Sequence, residues 1–235
     1  MIPVGPNELS WERLVPDLEK LTVVDEVVIV AIENSPIAKT VSQWQKNDDE
    51  RRSLVFAEKP GRGIQLNLGA RAARFSTLWF LHADMKLSSN TAKALIRHRG
   101  LEKKAVYYFD LGFFEAGILM RINEAGLWLR SHLLKLPFGD QGFLMSRESF
   151  EEAGDFLEGC RGEDHYFIWQ AHHKGIPVEP IGAKLYTSAR RYKEQGWQAT
   201  TWEHLSLTCQ QAFPEFKKLM RHKWYKIRDR LPLSS

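Results

Sequence analysis

Five short segments of this 235-residue sequence carry side chains suited to chemistry on an anionic, hydroxyl-rich substrate. Phe80-Leu81-His82-Ala83-Asp84 directly follows an apolar run. A carboxylate at the end of a strand in an α/β sheet lies where ligands bind, and it needs solvent or a cation to offset its charge. Magnesium and manganese suit such a place, taking one or two carboxylates, several waters and substrate phosphates. Asp84 is therefore the candidate metal ligand; the competing reading is a loop acid capping the next helix. Lys59-Pro60-Gly61-Arg62-Gly63-Ile64-Gln65-Leu66-Asn67 leads from a strand into a helix. Its glycines permit a tight turn, the helix N-terminus favours phosphate, and Arg62 adds a charge-assisted hydrogen bond. The spacing is neither a Walker loop nor a dinucleotide fingerprint.

Pro137-Phe138-Gly139-Asp140-Gln141-Gly142 offers Asp140 and Gln141, whose donors and acceptors match sugar hydroxyls, although the same residues also make ordinary turns. Gly162-Glu163-Asp164-His165 opens a helix. Two acids in a first turn complement the helix dipole, and one of them serves as a general base if it reaches the proton to be removed. Neighbouring helical side chains diverge by about 100°, so only one aims at a reaction centre. Ser188-Ala189-Arg190-Arg191-Tyr192 pairs two guanidiniums, fit to neutralise a departing diphosphate or simply to solvate a helix face.

The elements that must hold these segments follow a βα pattern. Residues 25–32 (DEVVIVAI) form an unbroken apolar run typical of a strand buried on both faces. Ahead of it, Trp11, Leu14, Val15, Leu18 and Leu21 mark one face of a helix. Strands are expected at 54–57, 77–81 and 105–109, with an Ala-rich helix at 64–74 between the first two. Beyond residue 115 the pattern turns to longer helices, at 118–136 and 163–174, separated by a strand at 143–145. The last 45 residues read mainly as helix. The expected architecture is one α/β domain over residues 1–200, with a mostly parallel central sheet, and a basic helical extension at 201–235.

Composition bounds the partners. Charged residues make up 26% and hydrophobic ones 43%, ordinary for a packed chain able to bury a core without disulfides. Two cysteines, Cys160 and Cys209, fit a reducing cytoplasmic setting. The net charge of +4 points to an anionic partner, not to nucleic acid, because bases and acids intersperse along most of the chain. Lys217, Lys218, Arg221, His222, Lys223, Lys226, Arg228 and Arg230 cluster at the end. They read as a solvated face, or as a contact with anionic lipid or an anionic acceptor. The first residues lack a signal-peptide pattern, and no transmembrane segment of roughly 18 uncharged apolar residues occurs.

Taken in order, the five segments resemble family 2 glycosyltransferases, and most closely the bacterial subgroup associated with radical-SAM and selenium-domain proteins. The resemblance rests on Gly61-Arg62 with Gln65, Asn67 and Gly69; on Leu81 to Asp84; on Gly139 to Gly142; on Glu163-Asp164; and on Arg190-Arg191-Tyr192. It implies a GT-A (nucleotide-diphospho-sugar transferase) fold and transfer of a sugar, with inversion, from a nucleotide-sugar donor to a hydroxyl acceptor. Asp84 corresponds to the carboxylate that meets a divalent metal (Mn or Mg) and the donor diphosphate, and Asp164 to the base. Pro3, Asn7 and Glu8 fall where the first strand's end meets the nucleotide. Glu33 takes the place of an Asp-rich turn, and His82 stands where many relatives outside the subgroup have Asp. A nucleotidyltransferase and a non-catalytic nucleotide-sugar-binding protein are the competing readings; the first lacks its Gly-rich loop after the first strand.

Overall fold

The computed structural model describes residues 1–46, 49–100, 103–114, 117–189, 215 and 217. Its first half alternates strand and helix: β1 (Ile2–Pro3), α1 (Trp11–Glu19), β2 (Val27–Ile32), α2 (Ala38–Gln45), β3 (Arg52–Ala57), α3 (Arg62–Ala72) and β4 (Thr77–Phe80). Then come β5 (Lys86–Leu87), α4 (Thr91–Arg97), β6 (Val106–Phe114), α5 (Ile118–Leu133), β7 (Phe143–Ser146), α6 (Arg147–Ala153), α7 (Glu163–Lys174) and β8 (Val178–Ser188). The chain divides into two units, Met1–Ala189 and Arg190–Ser235, and all of these strands and helices belong to the first. Of the helix expected over the last 45 residues, all but Glu215 and Lys217, which are helical, lies outside the described residues.

β2 shows why its sequence lacks alternation. Val27, Ile29 and Ala31 face the main core with Trp11, Leu14 and Leu18 of α1, while Val28 and Val30 face Ile64 and Leu68 of α3. Both faces are covered, as in a parallel sheet under helices. β1, β2 and β3 are parallel neighbours, with Pro3 opposite Val30 and Ile32 opposite Ala57. The Met1 amine donates to Trp79 O at 2.6 Å and the Leu81 N–H donates to Met1 O at 3.0 Å, the pattern of a parallel pairing between β1 and β4. The strands form two sheets, ordered β3-β2-β1 and β4-β7-β6-β8-β5, and the two Met1 hydrogen bonds join them edge to edge at β1 and β4. β7 is antiparallel to β4 and β6, and β5 to β8, whereas β6 and β8 run parallel. The order reverses between β1 and β4, and such a switch point opens a crevice beyond the carboxyl ends of the strands.

Helix α3 ties this crevice together. The buried Gln65 amide donates to Val4 O at 3.0 Å and to Val30 O at 2.7 Å, pinning the ends of β1 and β2. Two residues on, Asn67 clamps the segment before α7: its Oδ1 accepts the Phe156 N–H at 2.9 Å, and its Nδ2 donates to Phe156 O at 2.9 Å and to Glu158 Oε1 at 3.0 Å. Gly69 lets the helix lie close, since a Cβ there would stand 3.1 Å from Val30 Cγ2.

Most expected elements are present with ends shifted by a few residues. The strand expected at 25–32 begins at Val27, and the helix expected at 118–136 ends at Leu133, where Lys135 adopts φ 56° ahead of Pro137. The fourth strand extends to Phe114. Five elements had no expectation: α2, α4, α6, β5 and β8. α2 buries only Val41 among its residues, so no stripe shows in its sequence. β8 contains Pro180 and Gly182, both strand-disfavouring; they fall at a register shift against β6 between Tyr108 and Asp110.

Asn67→Leu keeps the branched side-chain shape but leaves the Phe156 N–H and C=O unpaired. It is expected to cost about 2–4 kcal/mol, read as a lower urea midpoint.

Candidate active site

Four of the five segments meet at the switch point. Pro3 ends β1, Arg62 opens α3 after β3, and His82 to Asp84 follow β4. Asp140 sits in a 3-10 turn at Gly139–Gln141 before β7, and Glu163 and Asp164 form the first turn of α7. Direct contacts join them. His82 Nδ1 lies 2.6 Å from Asp140 Oδ1. Asp164 Oδ2 accepts the Gly139 N–H at 2.5 Å. Arg62 Nη1 lies 3.3 Å from Glu163 Oε1, and the Thr187 hydroxyl donates to Asp84 Oδ2 at 3.3 Å. The turn needs glycine at 139, because a Cβ there would come within 2.9 Å of Asp164 Oδ2 and 3.1 Å of His82 Nε2.

The charges are unbalanced. Burial pushes the Asp84 carboxyl above its ordinary value, the charges of Asp140 and Glu8 push the same way, and His82 opposes them. Burial works against the charged form of Arg62, yet Glu163, Asp140, Asp164 and Asp84 together hold its guanidinium above the usual value. Glu163 is only 4% exposed, and its Oε1 faces Arg62 without a hydrogen bond. Among the described residues no group of three or more His, Cys, Asp or Glu forms a ready-made metal cage. The donor set still fits a divalent cation that takes one carboxylate and completes its shell with phosphate and water. Asp84 is a carboxylate at this place, and its surroundings disfavour its negative charge.

The other expected residues are dispersed. Glu8 is half-buried, with Oε1 accepting the Ser10 N–H at 2.8 Å, and its charge reaches Asp84. Asn7 is exposed between β1 and α1, and Glu33 is exposed just past β2. Gln141 is 1% exposed; its amide accepts the Phe138 N–H at 3.1 Å and donates to Phe109 O at 2.9 Å. It braces the turn and leaves Asp140 as the turn's outward polar group. Arg190 and Arg191 lie outside the described residues.

Arg130 of α5 escaped the sequence reading. Its guanidinium lies 3.4 Å from the Phe138 ring centroid, with Nη2 3.1 Å from His165 Nδ1. His165 Nε2 in turn accepts from Trp169 Nε1 at 3.0 Å. Nε and Nη1 of Arg130 are buried without hydrogen-bond partners, and burial lowers its pKa to about 10 against the opposing charge of Asp164. In sequence it is one more base in a helix's last turn, where helix-dipole chemistry already accounts for it.

Neither a protein-family model nor a curated protein sequence matches the chain. Solved structures do: the α/β fold is that of GT-A glycosyltransferase structures. One is the mannosyltransferase PcManGT from Pyrobaculum calidifontis, solved with GDP-Man and Mn2+, at a TM-score of 0.65 and 16% identity, covering 95% of this chain and 68% of that one. Another is residues 1–349 of S. aureus TarS, solved with UDP-GlcNAc, at a TM-score of 0.59 and 15% identity over 80% of this chain, which spans 57% of the TarS fragment. GalNAc-T7, solved with UDP, GalNAc and Mn2+, gives a TM-score of 0.59 and 13% identity, covering 80% of this chain and 42% of that one. At these identities the shared property is the fold.

The raised Asp84 carboxyl makes a stability prediction. The folded state holds that proton more tightly than the unfolded chain, so stability falls as pH rises past the ordinary value of 3.8. Asp84→Asn removes the ionising group. In metal-free buffer at pH 7 it should raise Tm, and the gain should vanish in acid where Asp84 is protonated.

Proposed function

We propose that this chain transfers a sugar from a nucleotide-sugar donor to a hydroxyl acceptor by a single, inverting displacement. The observation that carries the reading is the convergence of Arg62, Asp84, Asp140, Glu163 and Asp164 on the crevice between β1 and β4. These residues come from segments far apart in sequence. The fold shared with structures that hold GDP-Man and Mn2+ or UDP-GlcNAc supports it.

Asp84 would hold a divalent cation, Mn or Mg, which would supply Lewis-acid stabilisation of the departing diphosphate. Asp164 is the catalytic base. The Gly139 N–H fixes Oδ2, leaving Oδ1 to take the acceptor's proton as the hydroxyl attacks the anomeric carbon opposite the diphosphate. Arg62 exchanges part of its pairing with Glu163 for the donor diphosphate; the role of Arg190 and Arg191 toward the same leaving group rests on the sequence resemblance alone. Asp140 and Glu163 accept hydrogen bonds from sugar hydroxyls. Pro3, Asn7, Glu8 and Glu33 line the nucleotide side, at the carboxyl ends of β1 and β2. Gln141 acts by holding the turn that carries Asp140 and Gly139.

A thermal-shift screen of nucleoside diphosphates with and without manganese tests the donor site. A ligand present at about 100 times its Kd stabilises the native state by about 2.7 kcal/mol, and the shift should require manganese. Asp84→Ala should abolish the manganese-dependent part; unchanged shifts in that variant would defeat the metal assignment. Asp164→Asn should keep the shift while lowering transfer by at least about 100-fold. Nucleotide binding with no turnover of any sugar donor would favour a binding protein instead.

A further inference from the structure

Helix α5 is built inside out. Several of its polar residues turn toward the protein. Glu124 Oε1 accepts the Phe113 N–H at 2.9 Å and its Oε2 lies 3.6 Å from Lys184 Nζ. Arg130 reaches His165, and Ser131 is fully buried. The opposite face is apolar and open. Ile122, Trp128, Leu129, Leu133 and the adjoining Leu134 are each 50–67% exposed, and Ala125 and Gly126, also exposed, fill the same side. A stripe at spacings of three and four normally faces a core. Large apolar residues massed on a surface mark an interaction site.

The charges around the stripe indicate what it meets. Arg121 is exposed on this face and Lys135, half-buried, follows the helix end, whereas the helix's only acid, Glu124, is turned away to Lys184. A second copy pressed against the same stripe would set cation against cation. Trp128 stacks on His132 at 4.4 Å between ring centroids while half its surface stays open, an amphipathic ring of the kind enriched at membrane–water interfaces. Among the described residues no helix is long and apolar enough to cross a membrane. α5 fits a helix that lies in the surface plane, with its apolar face among acyl chains and its cations at the headgroups.

We propose that α5 docks its outer face on an anionic lipid bilayer. The contact is independent of the glycosyl-transfer reading, although it would hold the end of α5 that carries Arg130, and with it the base Asp164, beside the headgroups.

The test is co-sedimentation of the full chain with vesicles of phosphatidylcholine alone or mixed with phosphatidylglycerol, at low and high salt. The mixed vesicles should retain the protein, and part of the binding should survive high salt, because apolar insertion is not screened as surface charge is. Leu129→Glu with Leu133→Glu should lower that salt-resistant binding at least about 10-fold. Leu129→Ser with Leu133→Ser should lower it in the same direction, which guards against an effect of the added acids alone. Both variants should keep the wild-type circular dichroism and the wild-type response to nucleoside diphosphates, separating loss of docking from loss of the donor site. The proposal is overturned if wild type ignores anionic vesicles, if the folded double variants bind as wild type does, or if the chain proves to be a dimer that these substitutions split.

Discussion

Everything at the crevice depends on two side-chain amides of α3. Gln65 and Asn67 are buried polar groups, tolerated only because each is paired with backbone. Through Gln65 the helix grips the ends of β1 and β2, and through Asn67 it grips the segment that delivers α7. Arg62 sits one turn ahead of Gln65, so the same helix sets the position of the cation that faces four carboxylates. A rigid element thus fixes the mutual placement of groups carried by separate loops, which a reaction centre requires.

That placement has an electrostatic cost. Glu8, Asp84, Asp140, Glu163 and Asp164 crowd a half-buried space in which Arg62 and Arg130 are the cations identified, and Arg130 is itself poorly satisfied. A chain selected for stability alone would neutralise or disperse these groups. Perturbed charges crowded in this way concentrate at functional sites, where a charged ligand can offset them.

The sequence made the βα half legible because its physics is periodic and local. The doubly buried β2 and the amphipathic α1 follow directly from side-chain pattern. The acids at 84, 140, 163 and 164 could be found as strand-end, turn and helix-start residues, but each had an ordinary reading, and only their order lifted them. What stayed hidden were contacts across distance. Nothing local distinguishes Arg130 from a dipole-compensating base, Gln141 from a sugar-facing amide, or Asn67 from a solvent-facing helical residue. β8 was missed because its Pro and Gly, tolerated at a register shift, look like loop chemistry.

The joints around the crevice link residues widely separated along the chain: Gln65 to Val4 across 61 positions, Asn67 to Phe156 across 89, and Asp84 to Thr187 across 103. Loop closure must be met before such contacts return anything, and topologies rich in them fold slowly. The crevice is accordingly built from contacts that no local segment can make alone. While the chain is being synthesised, Asp84 waits for β8 to emerge before its Thr187 partner exists.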